Sequence, residues 1–206
     1  MKRHGAFITF EGPEGSGKST QVRALALWLH RRGHRVLTLR EPGGTLLGER
    51  LRRVLLSPAT GKLNSRTEAF LYMAARAELV DAIIHPALAR GMIVLCDRFL
   101  DSTLAYQGYG SGVDVLALRR MGRLATGDLS PDVTFLLDLP AAVGLRRVRG
   151  AKDRIERRAA SFHERVRRGF LALARREPWR FRVIDARQSR AVIQRQARDV
   201  VAECVA

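Results

Sequence analysis

The chain has 206 residues and a mass of 23.0 kDa, enough for one domain with a substantial core, and its 46% hydrophobic residues exclude a disordered polymer. No run approaches the roughly 20 apolar residues of a membrane span, and Cys96 and Cys204 have no partner spacing for a zinc site or a disulfide framework. The net charge of +17 points to polyanionic ligands, but its carriers are nearly all arginine and are spread along the chain, with lysine only at positions 2, 18, 62 and 152.

In chain order, Met1-Lys2-Arg3-His4-Gly5 leads directly into a short apolar run, too short for a secretory signal core, and the expected location is the cytoplasm. That run, Ala6–Phe10, is the first predicted strand. A helix over Lys18–Arg32 follows, with Gly33 as its expected C-cap. Next come a strand over Arg35–Leu39, a turn at Pro42-Gly43-Gly44, and helices over Leu46–Leu56 and Arg66–His85, the latter ended or kinked by Pro86. A strand over Met92–Cys96 precedes a helix over Val115–Thr126, and Ser130-Pro131-Asp132 introduces a strand over Val133–Asp138. Helices over Ala141–Arg149 and Ile155–Arg176, a strand over Arg182–Ile184 and a helix over Arg190–Val205 complete the chain. The strands are apolar without polar alternation, as in parallel sheets covered on both faces, so the expectation is a single α/β domain over residues 1–206.

Between the first strand and the first helix lies Gly12-Pro13-Glu14-Gly15-Ser16-Gly17-Lys18-Ser19, followed by Thr20. It matches the phosphate-loop pattern in full, and in the strand-to-helix context that the pattern requires. Glycines let consecutive backbone N–H groups turn toward phosphate oxygens, and the helix start adds its positive dipole end. Lys18 reaches the β- and γ-phosphates of a nucleoside triphosphate, and the Ser19 hydroxyl can ligate Mg²⁺. No guanine-reading N-K-x-D stretch occurs, which argues against a GTPase switch. A nucleotide kinase suits so small a phosphate-loop chain better than a motor.

Four spaced elements carry a resemblance that spans nearly the whole chain. They are Phe10-Glu11-Gly12 running into Gly17-Lys18-Ser19-Thr20, Arg40-Glu41-Pro42-Gly43-Gly44-Thr45, Asp97-Arg98-Phe99 with Ser102 and Ala105-Tyr106-Gln107-Gly108, and Asp153-Arg154-Ile155-Glu156. In this order and spacing they resemble the bacterial thymidylate kinase family. The resemblance implies a phosphate-loop three-layer sandwich, with a five-stranded parallel sheet, helices on both faces and an Arg-rich lid near residues 146–156. It implies the reaction ATP + dTMP → ADP + dTDP with Mg²⁺, substrates that are small molecules and not nucleic acid, and a homodimer formed through the helices after the second and third strands.

Residue by residue, the resemblance places Glu14 against the sugar 3′-hydroxyl and Asp97, at a strand end, on Mg²⁺ with Ser19. Arg98 and Arg40 are placed on the acceptor phosphate. Tyr72 is placed for stacking on thymine, in place of the more usual Phe, and Arg76, one helical turn on, is placed at the pyrimidine edge. Ser102, Thr103, Tyr106 and Gln107 line thymine and deoxyribose, with Tyr106 as the barrier to a 2′-hydroxyl. One branch of the family carries an arginine at position 15. Gly15 here resembles the other branch, whose cations come from the lid, and Arg146, Arg147, Arg149 and Arg154 lie in that stretch. Arg149 and Arg154 are the first choices for the transferred phosphoryl. Phe99 departs from the family's usual Tyr or His. Asp185–Ser189, by position alone, is the candidate cover for adenine. Two alternatives stay open: a sibling kinase for another deoxynucleotide or a nucleoside, and a nucleic-acid-binding ATPase using the +17 charge.

Overall fold

The computed structural model describes residues 5–148 and 150–205, the side chain of residue 205 apart. Five strands form one parallel sheet: β1 (Phe7–Glu11), β2 (Val36–Arg40), β3 (Ile93–Asp97), β4 (Val133–Asp138) and β5 (Phe181–Asp185). Their spatial order is β2-β3-β1-β4-β5, so the chain winds outward in both directions from β1. Three expected strands begin and end one residue later than the apolar runs suggest. The reason is register. Phe10 pairs with Asp97 and Arg40 pairs with Asp97, so sheet pairing carries each strand one polar residue further, to the carboxyl edge.

Helices cover both faces, which is why the strands lack polar alternation. Ile8 and Phe10 of β1 pack with Val22, Leu25 and Leu29 of α1 (Lys18–His30) and with Ile193, Ala197 and Val201 of α9 (Arg190–Val205). Phe7, pointing the other way by the two-residue period of a strand, meets Leu79, Val80, Ile84 and Leu88. Those residues lie at the end of α3 (Ser65–Leu79), in the wide π-helical turn Val80–Ile84, and in α4 (His85–Ala89). On the same face, Leu136 and Phe181 pack with Leu118 of α6 (Val115–Thr126) and with Val166, Phe170 and Leu173 of α8 (Ala160–Arg176). Helix α2 (Leu46–Leu56) lies against α3, and α7 (Ala141–Arg147) follows β4.

Three expectations are refined. Of the two alternatives at Pro86, ending or kinking the helix, the first does not occur; the helical path passes through the wide turn Val80–Ile84 and continues to Ala89. A proline crowds the carbonyl four residues back, and the widened turn just before it gives that carbonyl room. The helix expected from Ile155 begins at Ala160. Asp153 accepts bonds from the Ile155 and Glu156 amides, both at 2.8 Å, closing a separate turn before it. A helical stretch that the sequence reading left out runs from α5 (Leu100–Thr103) into a π-helical segment, Leu104–Gly110. Gly110 there lies where a Cβ would come within 2.6 Å of Phe162, so the glycine serves close packing.

Candidate active site

The carboxyl ends of β1, β3 and β2 deliver Glu11, Asp97 and Arg40 to one edge of the sheet, where ligands bind in open parallel sheets. The phosphate loop rises from β1 there. Gly15, Lys18 and Ser19 line two cavities at once, one on each side of the loop. The cavity on the α3 side holds about 300 Å³ and is walled by Glu14, Arg40, Tyr72, Arg76, Arg98 and the Ser102–Gln107 stretch, among others. The cavity on the α7 side is an open groove reached by Arg146, Arg147, Ala186, Gln188 and Ser189. The structure therefore brings the Asp185–Ser189 stretch to the phosphate loop on the side opposite Tyr72.

Lys18 Nζ donates to the carbonyls of Gly12 (3.1 Å) and Pro13 (2.8 Å). Burial, with Arg98 nearby, lowers its pKa to about 8, and the carboxylates of Asp97 and Glu14 resist the shift. Ser19 Oγ donates to Asp97 Oδ2, which places a hydroxyl and a carboxylate at one point beside the loop. Among the described residues there is no cluster of three or more His, Cys, Asp or Glu side chains suited to a metal.

Arg98 adopts φ 72°, a left-handed conformation that is uncommon outside glycine and is held only by surrounding bonds. Its amide donates to Phe10 O at 3.0 Å. The next amide, of Phe99, donates to Glu11 Oε1 at 2.7 Å. So fixed, the guanidinium donates to Gly12 O (3.1 Å), Ser102 Oγ (3.0 Å) and Glu14 Oε1 (3.3 Å), and lies 5.0 Å over the Tyr106 ring. Tyr106 OH donates to Glu14 Oε2. Burial works to raise the Glu14 pKa, but Arg98 and Lys18 outweigh it and hold the carboxyl below its usual range. Tyr106 stays a phenol, pushed well upward by burial.

Arg76 is 1% exposed and forms a buried ion pair with Glu41, Nη2 to Oε2 at 2.7 Å. Nη2 also donates to Phe99 O (3.1 Å) and Thr103 Oγ1 (3.0 Å), while Nη1 meets only the soft sulfur of Met73 at 3.2 Å. That leaves Nη1 as the nitrogen with hydrogen-bonding capacity to spare. Tyr72 lines the same cavity, as i, i+4 spacing on α3 requires. Its phenol is pushed up to about 12 by burial and by Glu68.

Arg154 departs from expectation. Its Nη1 donates to Glu68 Oε1 (2.5 Å) and its Nε to Leu55 O (2.8 Å), and it lines neither cavity. With its guanidinium on a buried carboxylate and a carbonyl, Arg154 is held away from both cavities, while Arg146 and Arg147 line the one on the α7 side. Arg149 lies outside the described residues. Sequence reading missed Arg52, which lines the α3-side cavity and donates to Pro42 O at 2.9 Å. Its spacing from Leu56, which lines the same cavity four residues on, was the signal available. Glu11, Glu41 and Glu68, all buried, were also missed as supports of the site.

Comparison with known proteins agrees with this arrangement. The family model described as thymidylate kinase matches residues 10–197. The thymidylate kinase of Desulfovibrio desulfuricans is 51% identical over 207 residues, covering 96% of this chain and 92% of that protein. That of Thermomicrobium roseum is 55% identical over 183 residues, covering 87% and 86%. The crystal structure of thymidylate kinase from Ehrlichia chaffeensis superposes with a TM-score of 0.78 at 36% identity, covering 96% of this chain and 98% of that one. The five-stranded parallel sheet, the complete phosphate loop and these relatives have one meaning: the chain belongs to the thymidylate kinase family.

Proposed function

We propose that this chain transfers the γ-phosphoryl of ATP to dTMP, with the donor in the groove on the α7 side and the acceptor in the cavity on the α3 side. The observation that carries this reading is that Gly15, Lys18 and Ser19 line both cavities, so phosphoryl groups entering from either side meet at the loop. In-line transfer needs little covalent help from a protein; it needs positioning and charge neutralisation.

Arg98, fixed by its bonds to Gly12 and Ser102, grips the acceptor phosphate with Arg40 and Arg52 at the rim. Glu14 sets the sugar through its 3′-hydroxyl, and Tyr106, hydrogen-bonded to Glu14, leaves no room for a 2′-hydroxyl. Tyr72 stacks on the thymine, and Arg76 offers Nη1 to its edge. Lys18 and the α7 arginines meet the transferring phosphoryl. The Ser19 hydroxyl and Asp97 carboxylate suit Mg²⁺, a hard cation that takes few protein ligands and keeps its waters; when bound it would neutralise charge on the donor phosphates. Asp153, Ile155 and Glu156 line the same cavity, and closure of this stretch over bound substrates would keep water from acting as acceptor.

Among the described residues no helix is long and apolar enough to cross a membrane, which accords with a cytoplasmic enzyme. A homodimer through α2, α3 and α6 is supported by the exposed apolar side chains Leu47, Val54, Phe70, Leu116 and Leu124 on helices that pack side by side.

The test is ADP release with ATP and Mg²⁺ on a panel of dTMP, dUMP, dCMP, UMP, thymidine and single-stranded DNA. A strong preference for dTMP is expected. Turnover with another nucleotide would overturn the pocket reading, and stimulation by DNA alone would favour a nucleic-acid ATPase.

A further inference from the structure

Glu68 lies on α3 one turn before Tyr72, is 0% exposed, and lines neither cavity. Its carboxylate gathers three side chains from two separate parts of the chain, Gln107 from one and Arg154 and Arg158 from the other. Oε1 accepts from Arg154 Nη1 (2.5 Å) and from Arg158 Nη2, and Oε2 accepts from Gln107 Nε2 (3.0 Å). Arg154 lies within the turn whose Asp153, Ile155 and Glu156 wall the acceptor cavity and Arg158 follows it, while Gln107 and Tyr72 wall the same cavity. One buried carboxylate therefore ties together two parts of the wall of a single cavity.

The cluster is charge-unbalanced. Two guanidinium groups share one carboxylate, and Arg154 Nη2 is buried without a hydrogen-bond partner. A cluster of this kind is poor value as plain stabilisation, because well-packed apolar residues of similar volume often serve as well or better. What it provides is registry: the turn can dock only where both arginines find Glu68. Without the carboxylate, the two cations repel each other and also the Arg52 and Arg98 charges across the cavity. Other ties of the turn to the body are the Arg154 amide and Nε on the Leu56 and Leu55 carbonyls (3.0 and 2.8 Å), Arg158 Nη1 on Ser111 Oγ (2.9 Å), and the side chain of Ile155, buried in the core cluster that holds Ala69 and Met73 of α3.

We infer that Glu68 is a positioning residue that locks the 153–158 turn to the acceptor wall, so that acceptor binding and docking of the turn are energetically coupled. The coupling rests on the acceptor reading given above; the lock itself does not. By linkage, whatever docking of the turn adds to acceptor affinity, acceptor binding must return as protection of the turn.

The experiment is hydrogen exchange on the full chain, with and without dTMP, for the wild type, Glu68→Gln and Arg158→Gln, together with steady-state kinetics. Glu68→Gln keeps the side chain's size but removes its charge. The expected result without nucleotide is faster exchange confined to residues 153–158, with the phosphate loop and sheet as protected as in the wild type. The KM for dTMP should rise about tenfold, the KM for ATP should stay within about twofold, and dTMP should no longer slow exchange at the turn. If Glu68→Gln fails to fold, Arg158→Gln asks the same question, since that side chain is 22% exposed; its effects should run in the same direction and be smaller. Wild-type exchange at 153–158 in the folded variants overturns the lock, as does an increase spread evenly over the chain. A wild type that shows the exchange contrast but does not phosphorylate dTMP overturns the functional reading and the coupling, and leaves the lock standing.

Discussion

Gly15 and Gly144 pack backbone against backbone. A Cβ on Gly15 would lie 2.2 Å from the Gly144 carbonyl oxygen, and a Cβ on Gly144 would lie 2.1 Å from the Glu14 carbonyl oxygen. Gly15 also takes φ 66°, which side chains rarely adopt. The phosphate loop and α7 are thus in contact with no side chain between them. This gives a physical reason for the absence of an arginine at position 15, and it places the last turn of α7, with Arg146 and Arg147, beside the loop.

Gly144→Ala should therefore damage catalysis without unfolding the protein. The new methyl group meets backbone, which cannot swing aside, so the loop itself must shift, and misplacement of about 1 Å costs on the order of 100-fold in rate. The expected outcome is a kcat loss of about that size with a melting temperature only a few degrees lower. Unchanged kcat would show that α7 yields instead of the loop.

Lys18→Ala should reduce turnover by about 1000-fold or more while the fold persists, since Lys18 contacts only loop carbonyls and Ser16 Oγ. Circular dichroism and single-turnover kinetics check both halves. The pKa of about 8 adds a second expectation. The cation is present below that pH, so kcat/KM, which reports the free enzyme, should fall as pH rises through about 8. Bound phosphates favour the charged form, so the limb in kcat should lie higher.

Glu11 is the opposite case. Burial, reinforced by Asp101, raises its pKa from 4.5 to about 8, so it is largely protonated at neutral pH. The folded state then binds one proton more than the unfolded chain between about pH 4.5 and 8. The stability this contributes is full below 4.5 and is lost as pH rises through 8. Glu11→Gln imitates the neutral acid and keeps an acceptor for the Phe99 amide. Its urea midpoint should gain on the wild type progressively from pH 5 to pH 8, with Arg98-dependent acceptor binding retained. A constant difference across that range would contradict the raised pKa.

If α2, α3 and α6 form the homodimer contact, a charge at its centre should dissociate it. Phe70 is 63% exposed on α3 and Leu124 is 88% exposed on α6. Light scattering should give a dimeric mass for the wild type and a monomeric one for Phe70→Glu with Leu124→Glu. A monomeric wild type would remove the proposal.

Several parts of this protein were legible before any coordinates. The phosphate loop is local in sequence: its function depends on backbone geometry that glycine and a strand-to-helix junction specify over eight positions, Gly12 to Ser19. The strands were legible because both faces are buried, which makes them continuous apolar runs, and Tyr72 with Arg76 share a face because helical spacing is fixed. The partners of those residues were not legible. Glu41 on Arg76, Glu68 on Arg154 and Glu11 on the Phe99 amide join residues 35, 86 and 88 positions apart. Nothing in the local pattern separates a carboxylate that will be buried from one left in water. The same holds for the Leu100–Gly110 helix, whose glycines pack against Val115 and Phe162. Arg154 shows the rule most clearly: its motif marked it as chemically important, but only the tertiary fold turned its guanidinium to a buried carboxylate, because desolvating two charges is tolerable only where they meet.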